Sequence, residues 1–183
     1  MKNKILYFLA IVSFMTALSS CKKIVAAVFP GTDVNIPAAE FTVPVLLAVS
    51  PSELSFGSYT QHINLDSVVR ANTGGVFGVN VVSSIKLKQV NISLANADAL
   101  NNLSNLESAR ITLVSDINTN PIELFNVSFP TENLSTYNFT PTTSVELLPY
   151  LKGNSVTYNV YGKNRKITSK PLQMQVAITL RAN

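Results

Sequence analysis

The chain of 183 residues is poor in the side chains that do chemistry: it has one cysteine, one histidine and no tryptophan. One cysteine excludes an intramolecular disulfide, and together with one histidine it excludes multi-histidine and multi-cysteine metal sites. Without tryptophan or a cysteine pair, the Cys-Trp-Cys core of antibody domains is absent. Charge is sparse, at 13% of residues, and the ten carboxylates are scattered singly. No Asp-x-Asp-x-Asp calcium loop occurs, and nothing points to the facing carboxylate pair of a glycosidase. Gly74-Gly75 and Gly78 are not followed by the lysine and Ser/Thr of a phosphate loop, and no Gly-x-Ser-x-Gly elbow is present. No cofactor and no metal is expected.

No apolar run reaches the ~20 residues of a membrane-spanning helix. The longest is Ile5 to Leu18, about 14 residues, the length of a secretory h-region. Lys2 and Lys4 precede it as a positive n-region. Small residues follow, Ser19-Ser20, and then the lone Cys21.

Leu18-Ser19-Ser20-Cys21 resembles the lipobox of bacterial lipoproteins, a match confined to residues 1–21. The resemblance implies cleavage before Cys21, a diacylglycerol on its sulfur and acylation of its new amino group. Each buried CH₂ contributes about 0.8 kcal/mol, so two or three chains hold a protein that one would not. A lipidated Cys21 is unavailable as a nucleophile or a ligand. Lys22, where an aspartate would favour inner-membrane retention, implies the outer membrane of a Gram-negative cell. The absence of an acidic run after Cys21 points to the periplasmic face. The expected organisation is a signal peptide at 1–20, a lipidated cysteine and linker at 21–36, and a body at 37–183. The apolar stretch Ile24–Phe29 is expected to lie on the membrane surface or to add a strand to the body.

Loss of Lys2 and Lys4 leaves twelve basic against ten acidic residues, a net charge of +2. That is too little for a nucleic-acid surface. The remainder is rich in Val, Ile, Leu, Thr, Ser and Asn, a strand composition with polar loops.

From Pro37 the apolar residues alternate. Phe41, Val43, Val45, Leu47 and Val49 would share one face, with Pro44 marking an edge strand. Further strands are expected near Leu54–Tyr59, Ile85–Leu94, Ala109–Leu113, Ile122–Phe129, Leu134–Phe139, Val156–Val160 and Leu172–Leu180. A skipped step at Lys88-Gln89 predicts a bulge. Short helical turns are expected at Leu65–Ala71, capped by Asn64 or Asp66, at Ala99–Leu103 after Asp98, and at Val145–Leu151 after Ser144, where Pro149 limits the turn. The pattern predicts an all-β antiparallel sandwich, immunoglobulin-like or jelly-roll-like, ahead of a lipocalin-type barrel. With the lipobox it resembles the uncharacterised β-sandwich lipoproteins of Gram-negative outer membranes, which implies no site residues.

The segment from Tyr158 to Lys170 is the densest in functional chemistry. It places Tyr158, Tyr161, Lys163, Arg165, Lys166 and Lys170 around one expected hairpin loop, a contact site for anionic headgroups, an acidic glycan or a partner protein. His62 is a general-base candidate between a strand and a helical turn, and more simply a loop histidine. Asn91, Asn102, Asn126, Asn133 and Asn138 begin Asn-x-Ser/Thr triplets, read as a product of composition in a bacterial protein. Asp66-Ser67-Val68 resembles a short bacterial O-glycosylation signal. The function expected is a membrane-anchored, non-enzymatic binding or scaffold module of the cell envelope, the alternatives being a glycan- or lipid-binding lipoprotein or an envelope hydrolase using His62.

Overall fold

A computed structural model describes residues 29–142 and 144–183. The expected signal segment, Cys21 and linker residues 22–28, which hold most of the apolar stretch Ile24–Phe29, lie outside the described residues. Eight strands form the body: β1 Thr32–Val43, β2 Ser50–His62, β3 Ile85–Leu94, β4 Leu106–Ser115, β5 Ile122–Ser128, β6 Thr136–Phe139, β7 Ser155–Asn164 and β8 Leu172–Ala182. They make two four-stranded antiparallel sheets, ordered β1-β8-β3-β6 and β2-β7-β4-β5.

The pairs β1·β8, β2·β7, β3·β6 and β4·β5 are nested, as in one long hairpin whose successive rungs alternate between the sheets. That is the jelly-roll arrangement, which decides between the two sandwich types the sequence leaves open. Between the sheets lies a core of alternating side chains, among them Val34, Ile92, Met174 and Leu180 facing Ile111, Leu124 and Val160.

β1 starts at Thr32, ahead of the Pro37 from which alternation was expected, and buries Val34 and Ile36. Pro37 sits in a bulge: Ile36 pairs with Ile178 and Ala39 with Val176, so two residues oppose one. Proline has no N–H for the ladder, and β1 is an edge strand where that is tolerated. β1 ends before Pro44. Phe41 and Val43 are buried as expected, but Val45, Leu47 and Val49 are exposed on the β1–β2 loop. Leu46 turns inward instead, its backbone N–H donating to Thr168 Oγ1 (2.9 Å) and its carbonyl accepting from Thr168 N (2.9 Å). The bulge of β3 falls between Leu87 and Gln89, at the position the alternation predicted.

Helix α1 spans Leu65–Asn72 and is capped by Asn64, whose Oδ1 accepts from Ser67 N at 2.9 Å. Asp66 instead receives Arg70 Nε (2.7 Å) and Val79 N (2.8 Å). No helix forms over Ala99–Leu103. Asp98 Oδ1 accepts from Leu100 and Asn101 N–H in a turn, and a 3₁₀ turn follows at Leu103–Asn105 under a capping box made by Asn102 and Asn105. The last helix, α2, is only Leu148–Leu151. Glu146 is bridged to Lys86 of β3, which holds the chain extended where the helix was expected.

Candidate functional site

Because the strands alternate in direction, the connections separate into two ends. At one end lie Thr32 and the C-terminal residue. Ser83 and Ser84 N–H donate to the Asn183 carbonyl there, and Ile63 N–H to Asn154 O. At the other end, the β1–β2 loop (44–49), the segment 95–105, the β5–β6 loop (129–135) and the β7–β8 connection (165–171) come together. β1 has 12 residues, so the two ends stand roughly 40 Å apart.

Buried asparagines hold the far end together. Asn164, fully buried, donates from Nδ2 to Ala48 O (2.9 Å) and Lys166 O (3.1 Å) and accepts from Ser50 N (3.2 Å). Asn105 donates to Leu100 O (3.0 Å) and Ile167 O (2.8 Å) and accepts from Asn102 N (2.9 Å). Asn101 joins Asp98 to Ser169. Each amide carries two donors and an acceptor that would cost free energy if buried alone, and each uses them to tie one loop to another.

On this frame Leu47, Val49, Leu100 and Ile167 stand 84%, 57%, 77% and 59% exposed. Beneath Leu47, a mostly apolar recess of about 370 Å³ opens between the β1–β2 loop and Leu54 and Phe56. Rigid loops carrying exposed apolar side chains are a contact surface whose ordering cost is met in folding.

The basic segment singled out in the sequence is divided by the structure. β7 and β8 belong to opposite sheets, so their connection is a crossover and not a hairpin loop. Tyr158 is 2% exposed and faces the core; burial pushes its hydroxyl well above the ordinary tyrosine range, and Gln61 Nε2 donates to it at 3.3 Å. It therefore cannot touch a ligand. Tyr161 lies on the outer face of β7, where Arg110 Cζ covers its ring at 4.5 Å from the centroid. Arg110 is bidentate on Glu53 (2.8 and 2.6 Å), which lowers the Glu53 pKa.

Arg165 is a strap: its guanidinium donates to Phe129 O (2.7 Å) and Pro130 O (3.1 Å). Lys170 is paired with Asp98 at 2.6 Å. Lys163 is half-buried beside Glu53, and Lys166 is exposed with Nζ 3.4 Å from Ser104 Oγ. Among the described residues no carboxylate is in ion-pair range of Lys163, Arg165 or Lys166. Of the six side chains expected to form one site, only Lys163 and Lys166 remain as available cations at this end.

The apolar crown and its asparagine frame were not singled out in the sequence. Asn102 stood there only as the start of a triplet. The available signal was the density of asparagine at 101, 102 and 105, and Pro44 inside the alternation.

His62 is exposed at the end of β2, opposite Ser155. Among the described residues no group of three or more His, Cys, Asp or Glu is arranged to hold a metal. Ser67 is exposed in the first turn of α1.

Asp98 is held far below the ordinary carboxylate range, first by Lys170 and then by Asn101 and the Leu100 N–H. Glu146 is lowered as well: burial raises it, but the bonds from Ile85 N, Ser84 Oγ and Leu148 N outweigh that. A depressed carboxylate contributes stability above its unfolded pKa, about 4, and loses it as pH falls towards the folded value. Urea midpoints are thus expected to be flat from neutral pH to about pH 5 and to fall below about pH 4. Asp98→Asn is expected to make that acid limb shallower, as measured by midpoint against pH.

No family model matches the chain, and no curated protein matches its sequence. Among solved structures, the chain is similar to the family 32 CBM from C. perfringens NanJ in complex with galactose. The identity there is 6% and the TM-score 0.37, over 80% of this chain and 98% of that one. For CpGH89CBM32-6 produced by Clostridium perfringens the values are 10% and 0.32, over 77% and 91%. For the infectious bursal disease virus Gt strain structure they are 6% and 0.34, over 84% of this chain, which spans only 33% of that one. These likenesses assign no ligand, partner or activity to the chain.

Proposed function

We propose that the protein is a lipoprotein of the cell envelope, anchored to the outer membrane through acyl chains on Cys21, whose jelly roll is a non-enzymatic module that binds another envelope protein. The observation that carries this reading is the crown. Leu47, Val49, Leu100 and Ile167 project from loops that buried asparagines fix in place. A monomer gains nothing from apolar side chains held rigidly in water, whereas a partner that covers them does.

The anchor supports the same geometry. Leu18-Ser19-Ser20-Cys21 places the lipid a short way before Phe29, and β1 then leads away from that end towards the crown. In this reading the crown points away from the membrane that holds the anchor, into the periplasm. His62 is exposed, and among the described residues no carboxylate lies within 4 Å of it.

Two measurements test the reading. The intact mass of protein extracted from membranes is expected to carry a diacylglycerol, and Cys21→Ala is expected to accumulate as the uncleaved precursor; cleavage at another bond with a free thiol would remove the anchor. A photo-crosslinking residue at position 47 is expected to capture one protein in cells, while one at position 67, on α1 at the other end, does not. Leu47→Asp with Ile167→Asp is expected to abolish the capture while leaving the melting temperature within a few degrees, since both side chains are exposed. Equal capture from 47 and 67 would remove the crown from the proposal.

A further inference from the structure

The flank of the sandwich between the edge strands β5 and β6 holds a second feature, remote from the crown recess and independent of Cys21. A cleft of about 440 Å³ opens there, within the range that small-ligand sites occupy. Three aromatic rings line it, Phe125, Tyr137 and Phe139, and Phe129 packs against Tyr137 outside the lining. Phe125 meets Phe139 edge-on at 5.2 Å, Tyr137 lies against Phe139 at 5.9 Å with their planes 26° apart, and Phe129 meets Tyr137 edge-on at 5.9 Å.

Of these rings, Phe125 and Phe129 are buried, while Tyr137 and Phe139 are half-buried and line the opening. The reason lies in the topology. β6 has only four residues and pairs on one side only, so its inward side chains are not covered by a further strand.

The rim is polar and carries a single charge sign. Glu123, Asn126, Ser128 and Thr140 line it, and no lysine or arginine does. The Glu123 carboxylate is in no ion pair among the described residues, and no hydrogen bond engages the Tyr137 hydroxyl there.

From this combination we infer that the β5–β6 cleft is a binding site for a neutral sugar, one pyranose unit of a glycan chain. A pyranose has an apolar C–H face, which suits the rings of Tyr137 and Phe139, and an edge of hydroxyls, which suits a carboxylate, an amide and two side-chain hydroxyls. A fully apolar ligand would leave Glu123 and Asn126 desolvated without partners. An acidic sugar or a phosphate would meet Glu123, and the cation whose charge Glu123 feels, Arg110, is already bidentate on Glu53. The unpaired edge of β5 also offers backbone groups to an extended peptide, and that is an outcome of the test.

The experiment uses the full chain in detergent micelles and saturation-transfer NMR. The probes are the methyl glycosides of glucose, galactose, mannose and N-acetylglucosamine, each at about 10 mM, a concentration suited to millimolar binding. At least one is expected to show transfer, strongest at its C–H face. Glu123→Gln and Thr140→Ala, both on exposed positions, are each expected to weaken that binding about tenfold, the loss of one or two hydrogen bonds. Tyr137→Ala is expected to abolish it, and Tyr161→Ala to leave it unchanged. Methyl glucuronide is expected to bind at least tenfold more weakly than the preferred neutral sugar. The inference is overturned if none of the four shows transfer, if transfer survives both Glu123→Gln and Tyr137→Ala, or if the glucuronide binds best. It is also overturned if an extended peptide displaces no sugar yet protects the cleft on its own.

Discussion

Asn105→Ala is expected to lower the unfolding free energy by about 3 kcal/mol and the melting temperature by about 10 °C. The side chain is 2% exposed and makes three bonds, to Leu100 O, Ile167 O and Asn102 N. Alanine removes the amide and leaves those three backbone groups to find other partners, at about 1–3 kcal/mol for each that stays dry. Part of that is recovered if water enters, which is why the expected total is below the sum.

Asn105→Asp separates packing from hydrogen bonding. It keeps the shape but replaces two donors with a carboxylate facing two carbonyls, so it is expected to cost at least as much as alanine at neutral pH. Urea unfolding reads both, as a lower midpoint at unchanged slope. A loss under 1 kcal/mol for both variants would mean that the crown loops hold without the asparagine. The same variants bear on function, because the exposed Ile167 and Leu100 sit on the two segments that Asn105 ties together. Capture from position 47 is expected to weaken in Asn105→Ala even at temperatures where the body stays folded.

Gly162→Ala is the second substitution with a large expected effect, again about 3 kcal/mol or more. A Cβ at 162 would lie 2.3 Å from Phe56 Cε2 and 2.4 Å from the Ser108 carbonyl oxygen. Neither neighbour yields easily. Ser108 O belongs to the backbone of β4, which pairs with β7 at this point.

Phe56 is the unpaired residue of a bulge in β2, between Ser55↔Tyr161 and Gly57↔Val160, and its ring is 2% exposed. Gly57 has φ 117°, a conformation that only glycine adopts without strain, and this backbone turn drives the Phe56 ring over Gly162. Combining Gly162→Ala with Phe56→Leu is expected to recover part of the loss, giving a double-mutant coupling of about 1 kcal/mol or more. Additive losses would show that the Ser108 backbone contact alone sets the cost.

Gly162 also shows how a legible sequence feature points the wrong way. It lies in the segment from Tyr158 to Lys170, whose basic residues read as surrounding one hairpin loop. The glycine instead stands inside β7, because two other elements approach it too closely for a side chain. That approach comes from residues 106 and 54 positions away, Phe56 and Ser108, and leaves no local mark. The same displacement affects the basic cluster. Arg165 is spent on the carbonyls of Phe129 and Pro130, Lys170 on Asp98, and Tyr158 on the core. Each of these partners lies on a different loop or sheet, so the cluster's dissolution was not readable from its own residues.

Other features were readable because their cause is local. The bulge at Leu87/Gln89 follows from a skipped alternation step. The cap of α1 by Asn64 follows from an amide placed just before an apolar turn. β8 was the clearest strand in the sequence because its side chains alternate against the core along its whole length.

The sequence by itself determined that the chain is all-β and where most of its strands lie, though not the start and end of β1 or the exposure of Val45, Leu47 and Val49. Side-chain period and turn chemistry act over a few residues, so a reader of the chain sees them directly. It also carries the lipobox expectation at Cys21. Only the tertiary structure decided that the sandwich is a jelly roll, because strand order depends on which distant segments pair. It alone brought four loops together at one end, turned asparagines that read as composition into the frame beneath exposed leucines, and left the aromatic cleft open beside β6. Each of those depends on contacts between residues far apart in the chain, and no local pattern encodes them.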